Sequence, residues 1–272
     1  MKAIIEAGGT KCKWGFVDSD TYTIETKGFN PNCSSLNELM GIASCVKGKI
    51  YNDIDSIIYF GAGCSNDKNK KCINDILAST FGCTDIQIFT DLEGAAIAIF
   101  GDEPGIAAIL GTGTSAGYYN GKHIERQAPS LGFILGDEGS GAYLGKRLIA
   151  KIIRNELDPT ICNSFFEFAQ NTPSGLIKSV YSASPANGYL ASFVPFISKN
   201  ISNVQMRDLV KESFILFHQK HIEPLCMDIS TIGFVGGIAF QFNEILQSVY
   251  TEKGIKAIVK KEAFDELMKR LK

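Results

Sequence analysis

The chain has 272 residues, 27 Lys and Arg against 29 Asp and Glu, and 45% hydrophobic residues. At roughly 150 residues per domain, that length allows one large domain or two small ones, either able to bury a core without disulfide or metal staples. A net charge of −2 argues against a broad basic nucleic-acid face or an anionic-membrane anchor, leaving room only for a local patch.

From the N-terminus, residues 2–26 read as strand, turn, strand, turn, strand, broken by Gly8-Gly9 and Asp18-Ser19-Asp20. Ser35-Leu36-Asn37-Glu38 fits a capping box before apolar residues at helical spacing (Leu36, Leu39, Met40, Ala43, Val46). A buried-type strand follows at 54–60, a helix at 67–81, a strand at 86–89 and a helix from about Asp91. Strands alternating with helices imply an α/β domain whose later strands are largely parallel.

The opening then recurs. Residues 106–110 are apolar, Gly111-Thr112-Gly113-Thr114 turns, 116–119 resumes, and Asn120-Gly121 signals a hairpin. Gly9-Thr10 returns as Gly113-Thr114, 104 residues later, a repeat of architecture more than of letters. Two similar domains are expected, 1–103 and 104–257, with the C-terminal helix 258–272 free to pack back on the first. Ser140 can cap a helix bearing Tyr143, Leu144, Leu148, Ile149, Ile152 and Ile153. Ser202-Asn203-Val204-Gln205 opens another, carrying Met206, Leu209, Val210, Phe214, Phe217 and His221. Residues 231–235 read as a strand ending at Gly236-Gly237, and 262–271 as a last amphipathic helix.

The eight cysteines are scattered without a Cys-x-x-Cys pair, so reduced thiols and a cytoplasmic setting are expected. No apolar stretch approaches a membrane span, and the short run before Glu6 is no signal peptide. His218 and His221 stand three apart, but no partner ligand is in view and a helical packing face explains His221. Trp14 reads as core, and Cys64 is placed near the site by its glycine neighbours.

Small residues at a hairpin tip let backbone N–H groups approach a phosphate, where a larger side chain would hold the anion away. Gly8-Gly9-Thr10-Lys11 offers such a tip with a hydroxyl and a cation, and Gly111-Thr112-Gly113-Thr114-Ser115 offers a second. Neither a Walker A loop nor a dinucleotide fingerprint occurs. Asp91 lies in Thr90-Asp91-Leu92-Glu93, itself a capping box, so a bland first-turn helix charge is the competing reading.

The order of motifs resembles the actin, hexokinase and Hsp70 superfamily, specifically its N-acetylglucosamine kinase and BadF/BadG/BcrA/BcrD-type ATPase branch. The matching segments are Glu6-Ala7-Gly8-Gly9-Thr10-Lys11, Gly28-Phe29-Asn30-Pro31, Phe60-Gly61-Ala62-Gly63-Cys64 and Thr90-Asp91-Leu92-Glu93-Gly94-Ala95-Ala96. They continue with Leu110-Gly111-Thr112-Gly113-Thr114, Leu131-Gly132-Phe133-Ile134-Leu135-Gly136-Asp137-Glu138-Gly139-Ser140 and Gly233-Phe234-Val235-Gly236-Gly237. The resemblance implies two ribonuclease H-like (actin/hexokinase-type) domains flanking a nucleotide and sugar cleft. It implies Gly8, Gly9, Thr10 and Lys11 as a first phosphate loop, Gly111, Thr112, Gly113 and Thr114 as a second, and Gly236 and Gly237 beside adenosine. Asp91 would take the proton from the sugar hydroxyl, and Asn30, Gly63, Thr112, Gly113, Phe133 and Asp137 would surround the sugar. Glu6 stands where most of the superfamily has an Asp that helps hold Mg²⁺, and a Glu remains a hard oxygen ligand.

The function so implied is ATP- and Mg²⁺-dependent phosphorylation of the 6-hydroxyl of N-acetylglucosamine or a related amino sugar, by a homodimer with neither nucleic-acid nor membrane partner. The residue chemistry agrees: phosphoryl transfer needs charge neutralisation and a base, and a neutral sugar needs acceptors and amide donors such as Asp137, Glu138 and Asn30. Two alternatives stand beside it: an ATPase activator of a CoA-ester reductase or dehydratase, with an iron–sulfur cluster held at a subunit interface, and a non-catalytic sugar or nucleotide sensor.

Overall fold

The consecutive apolar residues Ala3-Ile4-Ile5 bury both faces of the central strand β1 (Lys2–Ala7), and β2 (Lys11–Val17) and β3 (Thr21–Lys27) extend it as an antiparallel meander. The computed structural model describes residues 1–9, 11–32, 34–228 and 230–272. The chain divides into two compact units: Met1–Glu103 with Gly121–His123 and Glu262–Lys272, and Pro104–Asn120 with Ile124–Lys261.

In the first unit, α1 (Leu36–Lys47) begins at the capping box read from sequence, with Ser35 and Glu38 bonding each other's backbone N–H. β4 (Ser56–Gly61), α2 (Asp67–Phe81), β5 (Asp85–Thr90) and α3 (Asp91–Phe100) follow as alternating strand and helix. The sheet runs β3-β2-β1-β4-β5, with β1, β4 and β5 parallel. Trp14, Phe16, Phe29, Tyr59, Leu77 and Phe81 fill its core, so Trp14 is a packing residue as its sequence context suggests. Its indole N–H donates to Thr26 Oγ1 at 3.0 Å, which satisfies the one polar atom that burial would otherwise strand.

The second unit repeats the plan. β6 (Gly105–Leu110), β7 (Thr114–Tyr119) and β8 (Ile124–Gln127) form the meander, and later strands pair parallel to β6. A short turn of helix, α4 (Gly132–Leu135), precedes α5 (Gly141–Ile153), capped by Ser140 as expected. Four helices not legible in the apolar periodicity come next: α6 (Pro159–Ala169), α7 (Pro173–Ser182), α8 (Ala186–Ala191) and α9 (Val194–Lys199). Then come α10 (Val204–Phe217), extended by a π turn over His218–Ile222, β9 (Thr231–Val235), α11 (Gly237–Gln241), α12 (Asn243–Thr251) and β10 (Lys256–Lys260). The sheet order is β10-β9-β6-β7-β8.

α10 is capped within the segment read as its opening: the Asn203 side chain accepts from the N–H groups of Gln205 and Met206. One reading is corrected. The terminal helix does not occupy 258–272 as a whole: residues 256–260 pair with β9, and α13 (Phe264–Arg270) is the only helical part. β-branched Ile258 and Val259 beside a parallel neighbour favour the extended conformation there. α13 packs in the first unit, where an added Cβ on Gly15 would overlap Met268 and Phe264.

Backbone proximity makes two glycines unequal. A Cβ on Gly145, in α5, would overlap the Leu190 carbonyl of α8, whereas one on Gly41, exposed in α1, meets nothing within 4 Å. Gly145→Ala should therefore cost roughly 1–3 kcal/mol by overpacking, and Gly41→Ala should add roughly 0.5–1 kcal/mol by lowering unfolded-state entropy. Urea unfolding of both variants checks this, and equal shifts would contradict it.

Candidate functional site

Parallel register decides which residues emerge side by side. In the first unit Ala7 pairs with Gly61 and Gly61 with Thr90, so β1, β4 and β5 end in one row. Ala62 N–H donates to Ala7 O at 3.1 Å and closes that row. Gly8 spends both backbone groups locally, donating to Lys11 O at 2.9 Å and accepting from Phe29 N–H at 3.1 Å. The second bond brings the Phe29-Asn30 segment against the β1–β2 tip. Gly9 is exposed, and a Cβ there would meet nothing within 4 Å, leaving an open apex. Thr10 lies outside the described residues.

Asn30 and Gly63 are neighbours: Gly63 has φ +78°, and an added Cβ would overlap Asn30 Oδ1. Asn30 Oδ1 accepts from Asn32 N–H at 2.9 Å. Asn69 ties the group together, donating to Gly63 O at 2.7 Å and Asn32 Oδ1 at 2.9 Å. Sequence reading passed over Asn69; its signal was its place three residues after the cap Asn66, which accepts from Asn69 N–H at 2.8 Å. Cys64 is buried beside this group, and burial pushes its thiol up to about 12, so it is an inert packing residue.

Asp91 opens α3, yet it does not cap it. Thr90 and Glu93 form the reciprocal box: Thr90 N–H donates to Glu93 Oε2 at 2.8 Å and Glu93 N–H to Thr90 Oγ1 at 3.1 Å. The Asp91 carboxyl accepts from local backbone: Oδ1 from Leu92 N–H at 3.0 Å, with the N–H of Asp91 itself also facing the group. Burial raises its carboxyl above the ordinary aspartate range, against the lowering effect of the Leu92 N–H. A base raised toward neutrality is better matched to taking a hydroxyl proton.

Glu6 lies on β1 against the segment that starts α13. Burial pushes its carboxyl up to about 7, helped by the Glu262 carboxylate and opposed by Lys13 and by the backbone N–H groups of Ala263 and Phe264. Lys13 is paired with Glu262, and Lys11 is held by Glu25 at 2.9 Å and Glu262 at 3.5 Å. Lys11 is thus committed to two carboxylates, and an anion at the β1–β2 tip would have to draw it from them. Lys11 and Lys13 are engaged by Glu25 and Glu262, which leaves Glu6 short of compensating charge that a hard divalent cation would supply. Among the described residues no group of three or more His, Cys, Asp or Glu converges on a metal position, so such an ion would take its other ligands from water or a bound phosphate.

In the second unit, Ile109 pairs with Val235, so the β6 and β9 turns also emerge together. Gly236 has φ +128°, and a Cβ would overlap the Leu110 carbonyl next to Gly111. Gly236 N–H donates to Lys260 O at 3.1 Å, and Gly237 opens α11. Gly111 N–H donates to Gly113 O at 3.0 Å, closing the tip. Gly111 O and Thr112 O accept from Gly141 and Ala142 N–H at 2.8 and 3.1 Å. Carbonyls of the tip are thereby turned onto the start of α5.

Asp137 is buried, with its Oδ2 only 3.0 Å from a Cβ built on Gly113. Burial raises its carboxyl, opposed by the Thr114 backbone N–H and the charges of His221 and Lys146. Thr114 is buried too, and its hydroxyl donates to the Asp137 and Glu138 carbonyls at 3.3 and 2.9 Å, so the side chain supports the turn. Phe133 is half-buried against the core, and its carbonyl accepts from Lys146 Nζ at 2.7 Å. Glu138 Oε2 lies 3.0 Å from His221 Nε2. His221 is therefore more than a packing face, a pairing that its helical context alone did not suggest.

This pair of meander-plus-parallel sheets, each with a glycine tip at the β-hairpin, is the ribonuclease H-like, actin/hexokinase-type fold. The sequence resemblance to the N-acetylglucosamine kinase branch of that superfamily is matched in three dimensions. A candidate N-acetylglucosamine kinase of Porphyromonas gingivalis is 29% identical, with 99% of this chain and 98% of that one covered at a TM-score of 0.90. One of Chromobacterium violaceum is 19% identical over 100% and 98% at 0.74. A ROK-family glucokinase of Streptomyces griseus, solved with glucose and AMPPNP, shares the fold at 14% identity over 99% and 97% and a TM-score of 0.59. No protein-family model matches the sequence, and no curated protein matches it. Among the described residues no helix is long and apolar enough to cross a membrane.

The raised Glu6 carboxyl makes stability pH-dependent with a definite sign. Its folded value of about 7 lies above the ordinary 4.5, so its proton is held more tightly in the folded chain. That contribution is full below pH 4.5 and lost as pH rises through 7. In metal-free buffer, Glu6→Gln should gain on wild type between pH 5 and pH 8 by roughly 1–3 kcal/mol. A gap that stays constant across that range in thermal unfolding would contradict it.

Proposed function

We propose that the chain is an ATP-dependent sugar kinase that transfers the γ-phosphoryl group to the 6-hydroxyl of N-acetylglucosamine or a related amino sugar. The observation that carries this reading is Asp91: a carboxylate at the end of a parallel strand, raised by burial and relieved of helix capping by Thr90 and Glu93. Similarity to the P. gingivalis protein over nearly the whole of both chains supports the sugar class.

In this reading the sugar oxygen attacks the γ-phosphorus, its proton passes to the Asp91 carboxylate, and ADP leaves with the electrons of the broken P–O bond. Backbone N–H groups around Gly9, where an added Cβ would meet nothing within 4 Å, and in the Gly111–Gly113 tip would meet phosphate oxygens. Gly236 and Gly237 border the nucleoside. Asn30 and Gly63 in the first unit, and Gly113, Thr112, Phe133 and Asp137 in the second, receive the sugar. Asp137 accepts from hydroxyls and Asn30 supplies an amide. Glu6 would hold Mg²⁺ through water, and the ion, when bound, neutralises charge on the phosphates.

Purified protein with ATP, Mg²⁺ and a panel of hexoses tests this by ADP release. Wild type should turn over N-acetylated amino sugars above the no-sugar background. Asp91→Asn should lower kcat by about 10²–10⁴-fold while sugar affinity, read by calorimetry, changes less than about threefold. Turnover unaffected by Asp91→Asn would exclude it as the base.

A further inference from the structure

The turn at 136–140 in the second unit holds one non-glycine residue, Asp137, in the left-handed region, and places a glycine at its other positive-φ position. Asp137 has φ +60° and Gly139 φ +84°. A left-handed φ at a non-glycine residue is disfavoured and persists where its surroundings hold it. Three contacts do so here. Thr114 Oγ1 donates to the Asp137 and Glu138 carbonyls, Gly139 N–H donates to Ser213 Oγ at 3.1 Å, and Glu138 Oε2 meets His221 Nε2 at 3.0 Å. The outcome is the Asp137 carboxylate set directly beside Gly113.

The first two contacts grip backbone. The third grips a side chain and reaches it from 83 residues away. His221 is 5% exposed, lies within the π turn that ends α10, and stacks on Phe217 with ring centroids 5.3 Å apart and planes 17° apart. The stacking leaves the ring no freedom to follow Glu138 elsewhere. π turns insert a residue at some cost to helix geometry, and they recur where a side chain must be re-aimed. The Glu138 side chain is only 18% exposed, so its charge, once unpaired, would be driven to re-solvate and to drag the turn with it.

We infer that His221 is a positioning residue: by holding Glu138 it fixes the 136–140 turn, and with it the Asp137 carboxylate beside Gly113, in the orientation that receives sugar hydroxyls. This rests on the reading of the Asp137 cluster as sugar-binding. His221 itself touches no substrate.

The test uses the full chain. His221→Met removes the ring nitrogens at similar volume, His221→Gln returns an N–H donor near the Nε2 position, and Glu138→Gln weakens the pair from its other side. Two readouts are taken: steady-state kinetics with N-acetylglucosamine and ATP, and hydrogen exchange of a peptide covering 131–142. His221→Met and Glu138→Gln should raise the sugar KM about tenfold, leave the ATP KM within about twofold, and speed exchange in that peptide. His221→Gln should return both readouts to within about threefold of wild type. Gln no better than Met, or Met indistinguishable from wild type in both, overturns the inference. Should wild type phosphorylate no sugar, the kinase reading falls, while the exchange comparison still decides whether His221 holds the turn.

Discussion

Parallel pairing stops β1, β4 and β5 in one row, and this constraint governs every candidate group of the first unit. With Ala7, Gly61 and Thr90 in register, the chain must turn at all three places at the same edge. Strand ends in parallel sheets leave backbone N–H groups unspent, and that is where open α/β sheets gather ligands. Glycine at 63 lets its turn approach the Asn30–Asn32 segment, and Asp91 arrives at the same edge because α3 starts directly after β5. The second unit meets the same constraint with β6 and β9, and Gly236 sits where only a residue without Cβ fits against Leu110.

Charge is handled locally. In the proposed reading a triphosphate and a sugar are bound by a chain of net −2, in which cations are not massed. Burial raises the Asp91 and Asp137 carboxyls, and the backbone N–H groups that face them oppose the shift. Glu6 is raised as well, by burial first and then by the Glu262 carboxylate beside it, while Lys13 and Lys11 are shared among three carboxylates. A divalent ion would relieve that imbalance, which joins metal binding to the electrostatics of the fold.

Much of the architecture was legible because its signals are local. The α2 boundaries, the boxes at Ser35 and Thr90, and the cap at Ser140 follow from periodicity and short-range hydrogen bonding. The stretch from 159 to 199 was not, since its helices are short and their apolar faces compete with one another. Even so, Asp158-Pro159 and Thr172-Pro173 each place a cap before a proline at the first helical position, a start signal that carries no periodicity. β10 was absorbed into the terminal helix because five residues of strand look like the lead-in to an amphipathic pattern.

Individual site residues divide the same way. Gly8, Gly113, Asp91 and Asp137 sit in contiguous motifs and could be named. Asn69, Glu262, Lys146 and His221 act across the chain, and no local pattern announces a partner that only folding supplies. The central claim is that this fold moves phosphate onto a sugar. Phosphorus NMR of the product formed from ATP and N-acetylglucosamine tests it most directly. The account predicts one new phosphomonoester resonance split by the two protons on carbon 6. Inorganic phosphate as the only product, or coupling to the anomeric proton, would contradict it.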